Sequence, residues 1–168
     1  METFQDDPLK RNIEIGCGCG NFGQMNFAPC FLTERDRTLK NRCNVAHIDW
    51  FCDAHDLPWR DARFRHVVIC NPYEYGFMLS DASDALFREI VRVLQNRGYV
   101  AIVTHSSNPY ANRDLLERRL PRFRELVTAS IRIRSYSLPR DPFQNFFFRG
   151  MDMKRTRPDT YICLQIDR

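Results

Sequence analysis

Lysine is nearly absent: Lys10, Lys40 and Lys154 are the only lysines among 25 basic residues, and arginine supplies the rest. No run approaches the roughly 18 consecutive apolar residues of a membrane span, which excludes that class. The opening METFQDDPLKRN lacks the apolar stretch of a secretory signal. Internal repeats and low-complexity tracts are also missing, and with 43% hydrophobic and 27% charged residues neither a fibrous nor a disordered chain fits. Disulfide scaffolds are not expected either. Seven cysteines is an odd count scattered through an apolar-rich chain, and it reads as reduced thiols of a cytoplasmic protein, most of them small core residues.

At 168 residues the chain has room for one domain, spanning 1–168. A domain of about 150 residues buries roughly 68–70% of its unfolded surface, enough for a single core. The net charge of +4 is unevenly spread: residues 1–110 sum to −2 and residues 111–168 to +6. A basic face of that kind suits nucleic acid, phosphorylated molecules or an acidic protein, although plain arginine usage accounts for much of it.

Apolar runs alternate with helical patterns. Short strands are expected at Asn12–Ile15, Phe31–Thr33 and Val45–Phe51, and longer ones at Arg65–Cys70 and Gly98–Thr104. Their continuous rather than alternating apolar character is that of a parallel sheet covered on both faces. The clearest helix covers Asp81–Asn96, with Ala82, Leu86, Ile90, Val93 and Leu94 on one face and Gly98 beyond its end. A second covers Asn112–Leu120 and stops at Pro121. Leu126–Leu138 and Tyr161–Ile166 close the chain as strands, separated by a segment at Pro139–Asp159 that is long for a simple connection. The pattern is that of an α/β three-layer domain.

The strongest motif is Ile13-Glu14-Ile15-Gly16-Cys17-Gly18-Cys19-Gly20-Asn21. Glycines at alternate positions after a strand allow a tight turn and let a ligand lie against bare backbone. Gly18, Gly20 and Gly23 also match the dinucleotide fingerprint G-x-G-x-x-G, which keeps a nicotinamide-dependent oxidoreductase among the readings. Glu14 lies inside the strand, and acids end the next two: Glu34 in Phe31-Leu32-Thr33-Glu34-Arg35-Asp36, and Asp53 in Cys52-Asp53-Ala54-His55-Asp56-Leu57-Pro58. Asn71-Pro72-Tyr73 ends the fourth. All four lie at carboxyl ends of strands, where open α/β sheets bind ligands. Cys17-x-Cys19 has no second paired-cysteine element, so no metal site is expected.

From about Ile13 to Gly98 the chain resembles the class I, Rossmann-like S-adenosylmethionine-dependent methyltransferases. The resemblance implies a mostly parallel seven-stranded sheet whose last strand runs antiparallel between its neighbours, and S-adenosyl-L-methionine as cofactor. It implies that Glu14, Gly16, Cys17, Gly18 and Gly20 wrap the methionine and ribose, and that Glu34 holds the ribose hydroxyls, with Asp36 as the alternative. By the same likeness Asp53 and the Ala54 amide read the adenine, and Asn71, with Tyr73, borders the reacting methyl group. Two features depart from the family pattern. The segment between the glycines and Glu34 is short and contains Pro29, so its helix is abbreviated, and Tyr73 replaces the second proline of the Asn-Pro-Pro-Tyr signature of amino-nitrogen methylases. His105 ends the fifth strand as a candidate base or a plain loop histidine. Phe143, Phe146, Phe147 and Phe148 stand in the long segment, which by resemblance lies on the acceptor side as a lid or packs as core. The acceptor is unidentified, an accessory protein is an expected partner, and a noncatalytic partner subunit with the same fold is the rival from outside enzymes.

Overall fold

Val67, Val68 and Ile69 have no exposed surface, so the strand that carries them must have sheet neighbours on both edges and packing on both faces. The computed structural model, which describes residues 4–39, 48–72, 77–78, 81–137, 148–149, 155–156 and 158–168, places it there. The elements in order are β1 (Asn12–Ile15), α1 (Phe22–Asn26), β2 (Cys30–Glu34), β3 (Trp50–Phe51), β4 (Phe64–Cys70), α2 (Asp81–Val93), β5 (Leu94–Thr104), α3 (Arg113–Val127), β6 (Ser130–Ser137), β7 (Phe148–Arg149), β8 (Arg155–Thr156) and β9 (Thr160–Asp167). A seven-stranded sheet has the order β3-β2-β1-β4-β5-β9-β6; β7 and β8 form a separate two-stranded ladder. Strands β1 to β5 are mutually parallel, and β9 runs antiparallel to both β5 and β6. This is the mixed α/β sheet implied by the resemblance. It also differs from the all-parallel dinucleotide-binding order, which weighs against the oxidoreductase reading of the glycines.

The described residues cover the two faces differently. On one, Ile13, Ile15, Val67, Ile69, Val100, Ile102, Ile162, Leu164 and Ile166 pack with Leu86 and Ile90 of α2 and Leu116, Leu120 and Phe123 of α3. On the other, Val68, Ala101 and Val103 meet Phe22 of α1, and Cys17, Cys30 and Leu32 form a small adjoining cluster. Helix α1, on that second face, has five residues, as the short segment with Pro29 suggests.

Several boundaries differ from the sequence expectation. Helix α2 ends at Val93 rather than Asn96 because loop amides cap it: Ala62 N–H and Arg63 N–H donate to the carbonyls of Arg92 and Val93. Within β5 the pairing with β4 then shifts register, and Arg97, with φ of 60°, leads into Gly98, where a Cβ would lie 2.8 Å from the Gln95 carbonyl oxygen. Pro121 lies inside α3 instead of ending it. The helix continues because its next turn carries Phe123, stacked on Phe87 at 4.0 Å and set edge-on to Phe77, and burial of that ring outweighs the lost hydrogen bond. Asn112 is the cap of α3, accepting from Leu115 N–H at 2.9 Å. Leu126 and Val127 therefore belong to the helix, and the following strand begins at Ser130. Of Val45–Phe51 only Trp50–Phe51 is a described strand; residues 40–47 lie outside the described residues. The expectation of reduced thiols holds for Cys17, Cys30, Cys52, Cys70 and Cys163 but not for Cys19, which is disulfide-bonded. Unlike the buried Cys17, Cys19 stands exposed on the glycine turn, where another thiol has access.

Replacing Phe123 by Ala removes a fully buried ring shared by α2, α3 and the segment at Phe77. Chemical denaturation of Phe123→Ala is expected to give a loss of about 3–5 kcal/mol.

Candidate functional site

The carboxyl ends of β1, β2, β3, β4 and β5 meet at one edge of the sheet, and the expected residues stand along it. The turn after β1 is built by Gly16 (φ 64°) and Gly18 (φ 58°), both in the left-handed region that glycine adopts without strain. Cys17 N–H donates to the Thr33 carbonyl at 2.9 Å and Gly20 N–H to the Cys17 carbonyl at 2.9 Å, so the turn is pinned to β2 and closed on itself. A Cβ built on Gly18 meets nothing within 4 Å among the described residues, so the turn faces open space. At Gly23 the reverse holds: a Cβ would lie 2.8 Å from Cys30 Sγ and 2.8 Å from Glu14 Cβ. This third glycine serves close packing of α1 on β1 and β2.

Glu14 lies beneath the turn with 1% of its surface exposed. Its Oε2 accepts from Gly23 N–H at 2.6 Å, while Oε1 is buried with no partner among the described residues. Burial, reinforced by the charge of Glu34 and only partly offset by the Gly23 amide, raises its pKa from 4.5 to about 7. The same burial, with Glu14 and Glu34 nearby, pushes the Cys17 thiol far up and keeps it protonated.

Glu34 closes the turn from the other side. Its Oε2 accepts from Gly18 N–H at 2.8 Å, and its Oε1 from Arg35 N–H and Asp36 N–H at 2.7 and 3.0 Å. The Asp36 carboxylate accepts from the amide and hydroxyl of Thr38 at 2.9 and 2.6 Å and so braces its own loop. After β3, Asp53 Oδ1 accepts from His55 N–H at 2.9 Å and contacts His55 Nδ1 at 2.7 Å; its Oδ2 lies 3.8 Å from Arg35. The His55 amide, then its ring and Arg35, hold the Asp53 pKa below the usual value. Ala54 is half-buried in the same turn.

Asn71 follows β4 with φ of 48°, its N–H donating to the Val103 carbonyl at 2.7 Å. Its side-chain oxygen accepts from Asn108 Nδ2 at 2.8 Å, and that same amide donates to the Pro72 carbonyl at 3.0 Å. Asn108 is 8% exposed and its own oxygen accepts from Tyr110 N–H at 2.8 Å, so it locks the turn. Reading along the sequence misses Asn108, yet it leaves a signal: Asn-Pro-Tyr occurs twice, at 71–73 and 108–110. Tyr73 lies outside the described residues. His105 stands on the same edge, with Nδ1 2.6 Å from Ser107 Oγ and Nε2 3.5 Å from Asp159, whose carboxylate also accepts from Ser106 and Thr160. Phe143, Phe146 and Phe147 lie outside the described residues, and Phe148 is in β7.

No protein-family model and no curated sequence matches the chain. Solved structures do. A methyltransferase from Thermotoga maritima that depends on S-adenosylmethionine shares 12% identity at a TM-score of 0.59, with 94% of this chain and 82% of that one covered. A chain from the complex of the Haloferax volcanii methyltransferase activator Trm112 with a methyltransferase shares 16% identity at 0.58, over 94% and 82%. The cyclase SpnF shares 18% at 0.53, over 76% and 55%. The chain has the class I, Rossmann-like fold of S-adenosylmethionine-dependent methyltransferases.

Because Glu14 keeps its proton to higher pH in the folded state than in the unfolded chain, the native state binds more protons between about 4.5 and 7. Stability then falls as pH rises through that window, by on the order of 3 kcal/mol. Thermal melts at pH 5 and pH 8 are expected to show a smaller fall for Glu14→Gln than for the wild type.

Proposed function

We propose that the protein binds S-adenosyl-L-methionine along this edge and transfers its methyl group to a nitrogen or oxygen nucleophile. The observation that carries the reading is the open, left-handed glycine turn held between two carboxylates, one with a buried oxygen that lacks a partner among the described residues. Open space above Gly18 and an acceptor below it suit a ligand that brings both a hydroxyl-bearing sugar and a cationic group. In this reading Glu14 offers its free oxygen and negative charge through the turn formed by Gly16, Cys17, Gly18 and Gly20. Glu34 receives the ribose hydroxyls, with accepting capacity left on Oε2, which holds a single amide bond. Asp36 is the alternative, two residues beyond the end of β2, with its Oδ1 bonded to the Thr38 amide and hydroxyl. Asp53 keeps Oδ2 for an exocyclic amine while His55 fixes Oδ1, and the Ala54 amide lies beside it.

When bound, the cofactor supplies an electrophilic methyl carbon on a sulfonium. The protein's part is placement: an acceptor held in line at near-attack distance gains several kcal/mol of barrier reduction without an acid or base. Asn71, anchored by Asn108, orients the acceptor, with Tyr73 beside it in sequence. The segment between β6 and β9 leaves at Ser137 and returns at Thr160, which pair with each other and lie beside Thr104 at this same edge. That attachment supports a covering role for the segment with Phe143 and Phe146, which would exclude water from the reaction. An accessory protein is a further part of the proposal, supported by the Trm112 complex among the similar structures.

S-adenosylhomocysteine is expected to raise the melting temperature, since a ligand at 100 times its Kd stabilises by about 2.7 kcal/mol, whereas NAD leaves it unchanged. A shift with NAD alone refutes the proposal. Titration calorimetry should show Glu34→Ala and Asp53→Ala each weakening S-adenosylhomocysteine about 10-fold or more, with Asp36→Ala close to wild type.

A further inference from the structure

Among the described residues, the sheet face that carries α1 changes character along its strands. Near the methyl-donor edge it is apolar, with Val68, Ala101 and Val103 under Phe22. Towards the opposite edge the same face carries a lateral row set by strand register: His66 on β4 pairs with Tyr99 on β5, Tyr99 with Gln165 on β9, and Gln165 with Arg132 on β6. A helix packed on this row would require aliphatic side chains. Instead it presents an imidazole, a phenol, an amide and a guanidinium, none of them fully buried.

The rings are organised. His66 and Tyr99 stack at 5.5 Å with planes 19° apart, and the Phe27 ring lies 5.5 Å from His66, tilted by 51°. Asn12 directs its side-chain oxygen at His66 Nδ1, 2.8 Å away, because its amide nitrogen donates to the Phe27 carbonyl at 2.6 Å. That leaves His66 Nε2 as an acceptor. Burial and the neighbouring Arg65 lower the His66 pKa, so the ring is neutral at neutral pH. Beyond Tyr99 a cleft of about 470 Å³ opens, lined by Asn96, Arg97, Ser130, Arg132, Gln165, Asp167 and Arg168. Arg97 and Arg132 are 80% and 64% exposed, and their only described acidic neighbour is Asp167, at 4.0 and 3.4 Å. Exposed Arg11 and Arg65 lie at the same end of the sheet, at the starts of β1 and β4.

We propose that this row and its cleft are a docking surface for a single-stranded polynucleotide. Bases stack in continuation of the His66–Tyr99 ladder, Gln165 and Asn96 offer hydrogen bonds to base edges, and Arg97 and Arg132 take the phosphodiesters. Charge selects this occupant: a line of arginines beside stacked rings suits alternating phosphates and bases, and the polar cleft does not suit an apolar protein face. The strands lie about 4.8 Å apart, so the row from β4 to β6 spans about 14 Å, enough for a short stretch of single strand. The surface is some five residues, or roughly 17 Å, from the cofactor edge, and the inference does not depend on methyl transfer.

Fluorescence anisotropy with labelled 12-nucleotide oligouridine, oligothymidine and a duplex of equal length tests it on the full chain. Both single strands are expected to bind more tightly than the duplex, with affinity falling steeply with salt. Tyr99→Ala should weaken single strands about 5- to 100-fold, and Arg132→Glu should weaken them and reduce the salt slope. Arg113→Glu, on α3, should stay within about twofold of wild type, and melting curves establish that each variant is folded. The RNA and DNA arms tell whether a 2′-hydroxyl is read. Absence of binding, equal binding of duplex, folded variants of Tyr99 and Arg132 that bind as wild type, or a loss with Arg113→Glu equal to that with Arg132→Glu each overturn the proposal. So does a dimer dissociated by Arg132→Glu without nucleic-acid binding, which assigns the face to a second copy.

Discussion

A carboxylate buried at the end of the first strand governs the arrangement around it. Glu14 has one oxygen on the Gly23 amide, and that single bond ties β1 to the start of α1 and holds the glycine turn over it. The cost of removing this group from water is visible in its raised pKa. A buried acid with an unsatisfied oxygen destabilises a fold unless some other requirement retains it. The neighbourhood is built around it accordingly: Gly23 has no room for a Cβ against Glu14, Cys17 and Cys30 pack beside it as uncharged thiols, and Glu34 closes the turn through Gly18.

Distant parts of the chain support this edge in a similar way. Each strand-end residue is held by a neighbour that has no evident chemistry of its own. His55 and Arg35 flank Asp53, Asn108 grips Asn71 and Pro72, and Ser106 and Thr160 fix Asp159 near His105. Such partners determine where each functional side chain can point, as the supporting groups around a site generally do. The turn after β5 matters most here, since it carries both Asn108 and His105 and so couples β4 to β9.

Layering gives the molecule two unlike surfaces. Helices α2 and α3 cover one sheet face with an aliphatic and aromatic core, fastened by Asp84 between Arg119 and Arg122. Among the described residues the other face has a five-residue helix at one end and a polar, ring-bearing row at the other. Among the described residues, one face therefore accounts for most of the apolar burial.

Local chemistry made much of this legible. The glycine spacing at 16–23 permits one kind of turn, continuous apolar runs at 65–70 and 98–104 permit central parallel strands, and acids closing successive strands fall at one edge because parallel strands share their carboxyl ends. Other features were decided only by tertiary contacts. Pro121 reads as a helix stop because it lacks an N–H, yet the buried stack of Phe87 on Phe123 carries α3 past it. The end of α2 depends on amides from the Ala62–Arg63 loop, 30 residues upstream in the chain. Asn108 is an ordinary loop residue until folding brings it within 2.8 Å of Asn71, and the row from His66 to Arg132 exists only through the register of four strands. Propensity and spacing act within a few residues, whereas these choices were made by burial and hydrogen bonds between segments far apart in sequence.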